Sequence, residues 1–418
     1  MSLATKHFPV AWCRAQYPAL ERKLDGQPVV YLDGPAGSQT PQPVIDAISR
    51  YLCEMNANHG GLFATSRESD AMLDDAHQAA ADLLGVDTPE CTAFGANMTS
   101  LTFALSRALA RTWRAGDEVI VTRLDHDANV RPWTLAARDA GATVRFVDFR
   151  PEDCTLNLEQ LQAALSPRTR LVAVGCASNA VGTINPVQEI CRMAHAVGAL
   201  VYVDAVHYAP HGLIDVPRWD CDFLACSAYK FFGPHVGLLW GRRELLESLE
   251  AYKVRPAADR LPDKWMTGTQ NHEGIAGVLA AIEYLAALGR QAAPEAGDRR
   301  AALRIAFGEI VAYERALCRQ LLAGLAELPP VRVWGVADPD RLGERVPTVS
   351  ITHERLSSPE LAEFLGDRGI FAWHGNFYAL ETTESLGLEP AGLVRLGLLH
   401  YNTAEEVDRL LSVLGSLD

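Results

Sequence analysis

The nine cysteines of this 418-residue chain are scattered, odd in number, and include no Cys-x-x-Cys pair. That distribution excludes a disulfide scaffold and a zinc site of the usual spacing, and no metal is expected. Positive charge is scarce too. Lys plus Arg number 38 against 52 acidic residues, a net charge of −14 with no basic run. The concentrated positive surface that nucleic acid demands is therefore missing. No apolar stretch is expected to reach the roughly 20 residues that span a bilayer. Residues 1–10 show no basic segment leading into a hydrophobic one, so no signal peptide is expected. Glycine, at 32, is too sparse for a collagen-like chain, and 48% hydrophobic against 22% charged residues excludes bulk disorder. These absences leave a cytoplasmic globular protein with reduced thiols and no nucleic-acid or membrane partner.

Lysine is the scarcest charge. Only Lys6, Lys23, Lys230, Lys253 and Lys264 occur, so arginine carries nearly all the positive charge. Lys230 stands alone between Lys23 and Lys253, in an apolar setting.

What the chain does contain is alternation. Strands are expected at 91–94, 118–122, 143–148, 171–176, 199–204, 223–227 and 237–240, with helices at 98–111, 130–140, 158–165 and 187–197 between them. LVAVGC and ALVYVD are apolar throughout, which suits strands buried on both faces of a parallel sheet. The pattern predicts an α/β domain with right-handed crossovers. After Tyr284 the texture changes to a long helix at 299–328, strands at 331–336, 348–353 and 369–374, and a last helix at 404–414. The expected division is an N-terminal segment (1–30) packing with the small domain, a large domain (31–290), and a small α+β domain (291–418).

Ligands of open α/β sheets bind beyond the carboxyl ends of the strands. Three such ends carry Asp204, Lys230 (after Ser227, Ala228 and Tyr229) and the pair Ser178–Asn179. A lysine able to form a Schiff base and a carboxylate able to keep a pyridine nitrogen protonated are what pyridoxal phosphate requires. The bland readings are a turn-capping aspartate and a snorkelling lysine. Gly95-Ala96-Asn97-Met98-Thr99-Ser100 follows a strand and opens a helix, which offers backbone N–H groups to a phosphate. An ordinary capped helix start, with Asn97 or Thr99 as the cap, is the alternative. Ser227 and Tyr229 can give hydroxyls to the same phosphate, and His126 can stack on the ring or be ordinary loop content.

The motifs YLDGPAGSQTP, FGANMTS, DHDANVRPW, SNAVGTINPV, VYVDAVH, CSAYKFFGP, WMTGTQNHEGI and VRLGLLHYNT occur in that order over nearly the whole chain. In this the sequence resembles the class V aminotransferases of fold type I, specifically the cysteine desulfurase and selenocysteine lyase branch. The resemblance implies pyridoxal 5'-phosphate as cofactor and an amino acid as substrate. It makes Lys230 the Schiff-base residue, Asp204 the pyridinium partner and His126 the stacking ring, the three catalytic candidates. It puts Asn179 beside the phenolic oxygen, and Ala96, Asn97 and Ser227 at the phosphate. Thr269 matches a residue that reaches the neighbouring subunit's cofactor, which implies a homodimer with shared sites. Arg395 matches the arginine that clamps the substrate α-carboxylate.

Three departures from the branch bear on the reaction. Its desulfurases carry a loop cysteine whose thiolate attacks the substrate sulfur. The matching stretch here is 369–378; Asn376 is aligned with the cysteine, and none follows Cys318. An amide is no substitute for that nucleophile. His207 stands where a glutamine is usual, and Tyr229 where a histidine is usual. Phe371, Trp373, Phe377 and Tyr378 either line a larger, more apolar pocket or pack the small domain. Cys176 is a remote candidate for a replacement thiol. The expected reaction is β-elimination from cysteine or a cysteine-like amino acid, a C–S lyase outcome. The alternatives are transamination or epimerisation at Cα of a bulkier amino acid, desulfuration through another thiol, and a catalytically silent cofactor-binding protein.

Overall fold

The protein, described here over residues 8–417 of a computed structural model, begins with helix α1 (Val10–Ala15) and a two-residue strand, β1 (Val30–Tyr31). The first seven residues of the segment expected at 1–30, Lys6 among them, lie outside the described residues. Helices α2 (Gln42–Arg50) and α3 (Ala64–Leu84) follow. Strand and helix then alternate as β2 (Thr92–Gly95), α4 (Met98–Ala110), β3 (Glu118–Thr122), α5 (Arg131–Ala140), β4 (Thr143–Val147), α6 (Leu158–Ala164), β5 (Thr169–Gly175), α7 (Val187–His195) and β6 (Leu200–Asp204). Strands β7 (Phe223–Ser227) and β8 (Gly237–Gly241) complete a seven-stranded sheet of order β2-β8-β7-β6-β5-β3-β4.

Only β8 runs antiparallel to its neighbours; the remaining pairings are parallel. Every residue of β3, β7 and β8 is buried, so water reaches neither face and the apolar runs need no alternation. β4, at one edge, is open to solvent, whereas β2 at the other edge is covered. Thr143 and Arg145 of β4 are exposed, and Arg145 reaches 2.7 Å back to the buried carboxylate of Glu118. A charged side chain on an edge strand discourages pairing with another chain.

Helix α8 (His272–Ala292) runs eight residues past the texture change at Tyr284. With 21 residues and a mean hydropathy of 1.2 it is long and apolar enough to cross a membrane, contrary to the expectation that no stretch would be. It is a core helix: it packs on α2, α3 and the following α9 (Arg299–Ala326), and its hydrophobic side chains are largely buried there.

Strands β9 (Val331–Trp334) and β10 (Thr348–His353), helix α10 (Ser358–Gly366) and strands β11 (Ile370–Phe371), β12 (Trp373–Gly375) and β13 (Leu393–Gly397) follow, and helix α11 (Ala404–Gly415) ends the chain's regular structure. The strand expected at 369–374 is in fact two. β11 pairs in parallel with β1, while β12 joins the antiparallel sheet β9-β10-β13-β12. A uniform apolar run conceals such a break, because both halves are drawn to buried partners. The N-terminal strand is thereby stitched to the C-terminal part of the chain, and Asp33 bridges Gly397 at the end of β13.

Gly392, at the entrance to β13, has φ +67°, and a Cβ there would lie 2.3 Å from the backbone carbon of Gly375. Gly387 has φ +70° with nothing within 4 Å of its Cβ position. Gly387→Ala should therefore cost only the left-handed strain, about 1 kcal/mol. Gly392→Ala should cost clearly more in urea denaturation, since it also forces apart the β12–β13 pair. Equal losses would refute the close approach.

Candidate active site

Asp204 is paired in register with Gly175 of β5 and Ala225 of β7. The carboxyl ends of three neighbouring strands therefore meet, and the one-turn helix Ala228–Lys230 that leaves β7 carries the lysine to the same edge. A cavity of about 530 Å³ opens there, lined by Asp204, His207, Ser227, Tyr229 and Lys230 together with Asn97, His126 and Asn179. Lys230 Nζ donates to the carbonyl of Ala36 at 3.0 Å and also to that of Pro35. Burial, aided by the charge of Arg395, lowers its pKa from 10.5 to about 7. Burial raises the Asp204 carboxyl to about 6, opposed by the Val206 N–H that it accepts at 2.9 Å. An amine able to shed its proton near neutrality thus stands in the same pocket as a carboxylate held on the sheet edge.

Asn97 caps α4, its Oδ1 accepting from Ser100 N at 2.8 Å. The modest alternative for that side chain is thus realised, yet Asn97, Met98, Thr99 and Ser100 all line the cavity. The backbone of a helix's first turn is a ready anion site. Ser227 Oγ accepts from Met98 N at 3.0 Å, which ties the end of β7 to that turn. Ala96 sits on the exposed turn just before it. His126 Nδ1 accepts from Ala128 N at 3.0 Å, so the proton of the neutral ring resides on Nε2. Burial first, then Lys230 and Arg395, lower its pKa to about 4.

Arg395, 4% exposed, leaves β13 toward the same region. Its Nη1 donates to Asn179 O at 2.8 Å and its guanidinium stacks 4.0 Å from the centre of the Phe377 ring. No carboxylate pairs with it among the described residues, and its Nε is buried without a partner. Asn179 Oδ1 is likewise unpartnered, while its Nδ2 donates to Phe377 O at 2.9 Å. A buried cation with an open N–H edge is an invitation to an anion.

The loop between β12 and β13 is docked onto the turns that follow β3 and β5. Phe377 and Tyr378 have φ of 56° and 59°, a conformation that two successive side-chain-bearing residues hold only under constraint. The constraint is visible: Asn179 holds the Phe377 carbonyl, Asp127 N donates to Tyr378 O at 2.7 Å, and Asn376 Oδ1 accepts from Tyr378 N at 3.1 Å. Asn376 thus spends its side chain inside the turn. It is Tyr378, 74% exposed, that stacks on His126 with 5.5 Å between ring centres. Of the other aromatics, Phe371 packs edge-on against Tyr31 and Trp373 is 54% exposed.

Thr269 is exposed and does not line the cavity of its own chain; it lies beside a separate groove that includes Gly268, Gln270 and His272. Three contributors escaped the sequence reading. Asp125 lines the cavity with its carboxyl pushed up to about 8, chiefly by burial and also by Asp204 nearby. His235 lines it too, stacked on Tyr229 at 4.9 Å. The Pro35 and Ala36 carbonyls, which receive the Lys230 amine, bear no side-chain signal. Asp125 had one: it stands beside His126 immediately after a strand.

The model of the family described as "Aminotransferase class-V" matches residues 30–410. The chain belongs to the class V aminotransferases. A cysteine desulfurase of Dickeya dadantii is 32% identical to it, over 99% of this chain and 98% of the relative. An aminotransferase-like protein of Gibberella zeae is 34% identical over 99% of both. The apo structure of a cysteine desulfurase from Thermococcus onnurineus NA1 superposes with a TM-score of 0.87 at 27% identity, covering 98% of both chains. The cysteine desulfurase CsdA of Escherichia coli does so with 0.83 at 26%, again over 98% of both. This class V enzyme thus has the fold and the pyridoxal-phosphate-dependent character of its family.

The buried carboxylate has a cost that can be measured. The folded state holds the Asp204 proton more tightly than the usual 3.8, so stability is lost as pH rises from about 4 through 6 and is not regained above. Asp204→Asn should therefore raise the stability of the cofactor-free protein at pH 7.5 by about 2–3 kcal/mol, with the difference vanishing toward pH 4. Equal melting curves at pH 7.5 would show that the carboxylate carries no penalty.

Proposed function

We propose that this enzyme uses pyridoxal 5'-phosphate to eliminate the β-substituent of cysteine or a cysteine-like amino acid. The observation that carries the choice of elimination is the lack of a thiol: no cysteine lines the cavity among the described residues. Cys176 is buried, and burial pushes its pKa well above 9, so it offers no thiolate. The exposed Cys53 lies on the segment after α2, outside the cavity lining.

The residues fit the cofactor. The Lys230 amine, the Asp204 carboxylate and the first turn of α4 suit an aldehyde, a pyridine nitrogen and a phosphate respectively. The partnerless Asn179 Oδ1 and Arg395 Nε suit polar atoms of cofactor and substrate. When bound, pyridoxal phosphate supplies an aldehyde for amino groups and a ring that withdraws electrons from Cα. Arg395 binds and orients the substrate α-carboxylate through its open edge, which aligns the Cα–H bond. The Lys230 amine, uncharged in part at neutral pH, takes that proton. His126 stacks as a neutral ring, and the docked 376–378 turn covers it and keeps water from the face. The Cα–H and Cβ–S bonds break; with one water, cysteine yields pyruvate, ammonia and hydrogen sulfide.

A second reading has its own observation. Tyr378 over His126 makes an aromatic wall where a small sulfur substrate needs none, which favours transamination or epimerisation of a bulkier amino acid. The reading further includes a cytoplasmic homodimer, supported by the exposed Leu62 and Phe63, 88% and 59% accessible in a single chain, and by Thr269 lying outside its own cavity.

Mixing the cofactor-loaded enzyme with L-cysteine under reducing conditions should give pyruvate and sulfide without alanine. Alanine would establish desulfuration instead, and neither product would favour the second reading. Arg395→Ala should raise KM for α-carboxylate substrates at least about tenfold, the scale of a lost charge-assisted hydrogen bond. An unchanged KM would move the carboxylate site elsewhere.

A further inference from the structure

Behind the cavity lies a file of buried polar side chains to which the chemistry above gives no task. His207, on the cavity wall, places Nε2 3.0 Å from the Thr348 hydroxyl of β10. Its ring meets the ring of His211 edge-on, with 5.7 Å between centres and 70° between planes. His211 holds Nδ1 2.8 Å from Oε2 of Glu314, in the middle of α9. The three residues are 4%, 4% and 1% exposed. Glu314 Oε1 has no hydrogen-bond partner among the described residues. A buried carboxylate–imidazole pair is a weak device for stability, since apolar residues of similar volume often serve as well or better.

We propose that Glu314 and His211 are positioning residues that fix the ring and the proton of His207 at the cavity wall, a role that rests on pyridoxal phosphate occupying that cavity. An ionised Glu314 only accepts, so His211 Nδ1 carries a proton and the ring is oriented. With Nε2 committed to Thr348, Nδ1 is the ring nitrogen His207 has left for a ligand. Burial depresses His207 and raises Glu314, and the His211 ring, by its charge and its hydrogen bond, opposes the rise and so favours the ionised carboxylate. The charged or titratable groups facing His207 are His211, Arg395, Lys230 and His126. The one acting on Glu314 is His211, with the backbone of His400 close by and Tyr208, Arg315, Cys318 and Arg345 lining the small hollow beside it.

The test is the pH titration of the visible absorption band of the cofactor-loaded protein. Glu314→Gln removes the anion that orients His211 and, through it, the His207 ring that supports positive charge at the cavity wall, so the midpoint should fall by about 0.5 unit or more. His211→Asn should lower it in the same way and serves if the first variant folds poorly. In a His207→Gln background the Glu314→Gln shift should disappear, because the path runs through that ring. An unchanged midpoint in both single variants, or an equal shift without His207, would overturn the proposal. A wild-type protein that gains no visible band with added pyridoxal phosphate would instead overturn the cofactor reading. The ring nitrogen resonances of His207 in ¹⁵N-histidine-labelled, cofactor-free protein then decide: they should move in Glu314→Gln, and unmoved resonances sink the coupling.

Discussion

Everything at the site depends on the parallel register of β5, β6 and β7. Because Asp204 lies level with Gly175 and Ala225, the turns that leave these strands open side by side, at the edge where no further strand satisfies them. Burial there does two things at once. It drives Lys230 toward a neutral amine and Asp204 toward a protonated acid, so each group is unstable alone and receptive to a ligand that rebalances its charge. A pocket made of such groups is preorganised for binding rather than optimised for folding.

Arg395, beside the lining residue Asn179, obeys the same logic with a different sign. It is buried with a stacked ring and one carbonyl, and no carboxylate among the described residues forms a salt bridge with it, Asp33 acting on it only at longer range. Its stacking partner, Phe377, sits in a turn whose backbone strain is held by bonds from Asn179 and Asp127. Strain of this kind persists only where surrounding contacts over-determine it. The same contacts bring the small sheet against the large one, so the cation meets Asn179 and the aromatic ring meets His126.

Much of this was legible in the chain. The unbroken apolar runs located β5 and β6, and an isolated lysine among arginines pointed to Lys230. Less was legible where function rests on backbone or on long-range contact. The carbonyls of Pro35 and Ala36 carry no chemical signature. The break at Ala372 was hidden because both flanks are apolar, and the capping duty of Asn97 is indistinguishable in sequence from direct ligation. Tyr378 was noticed only as one of four aromatics; its place over His126 follows from two left-handed residues, which neither Phe nor Tyr announces. Glu314 was invisible, since a single acid in a long helix is read as solvent-facing.

The pairing of β1 with β11, and the Leu32 carbonyl that accepts from Gly397 N at 2.8 Å, also impose an order of assembly. On the ribosome β1 and the stretch after it, which holds Pro35 and Ala36, are made early, but the partner strand β11 comes 340 residues later (Val30 to Ile370). The sheet bearing Asp204 and Lys230 is complete by Gly241, so that half of the pocket can form while the strand bearing Arg395 is still unsynthesised. Such long-range closure slows folding. It also makes the ceiling over Lys230 a late event, and the lysine stays open to solvent until the last strands are made.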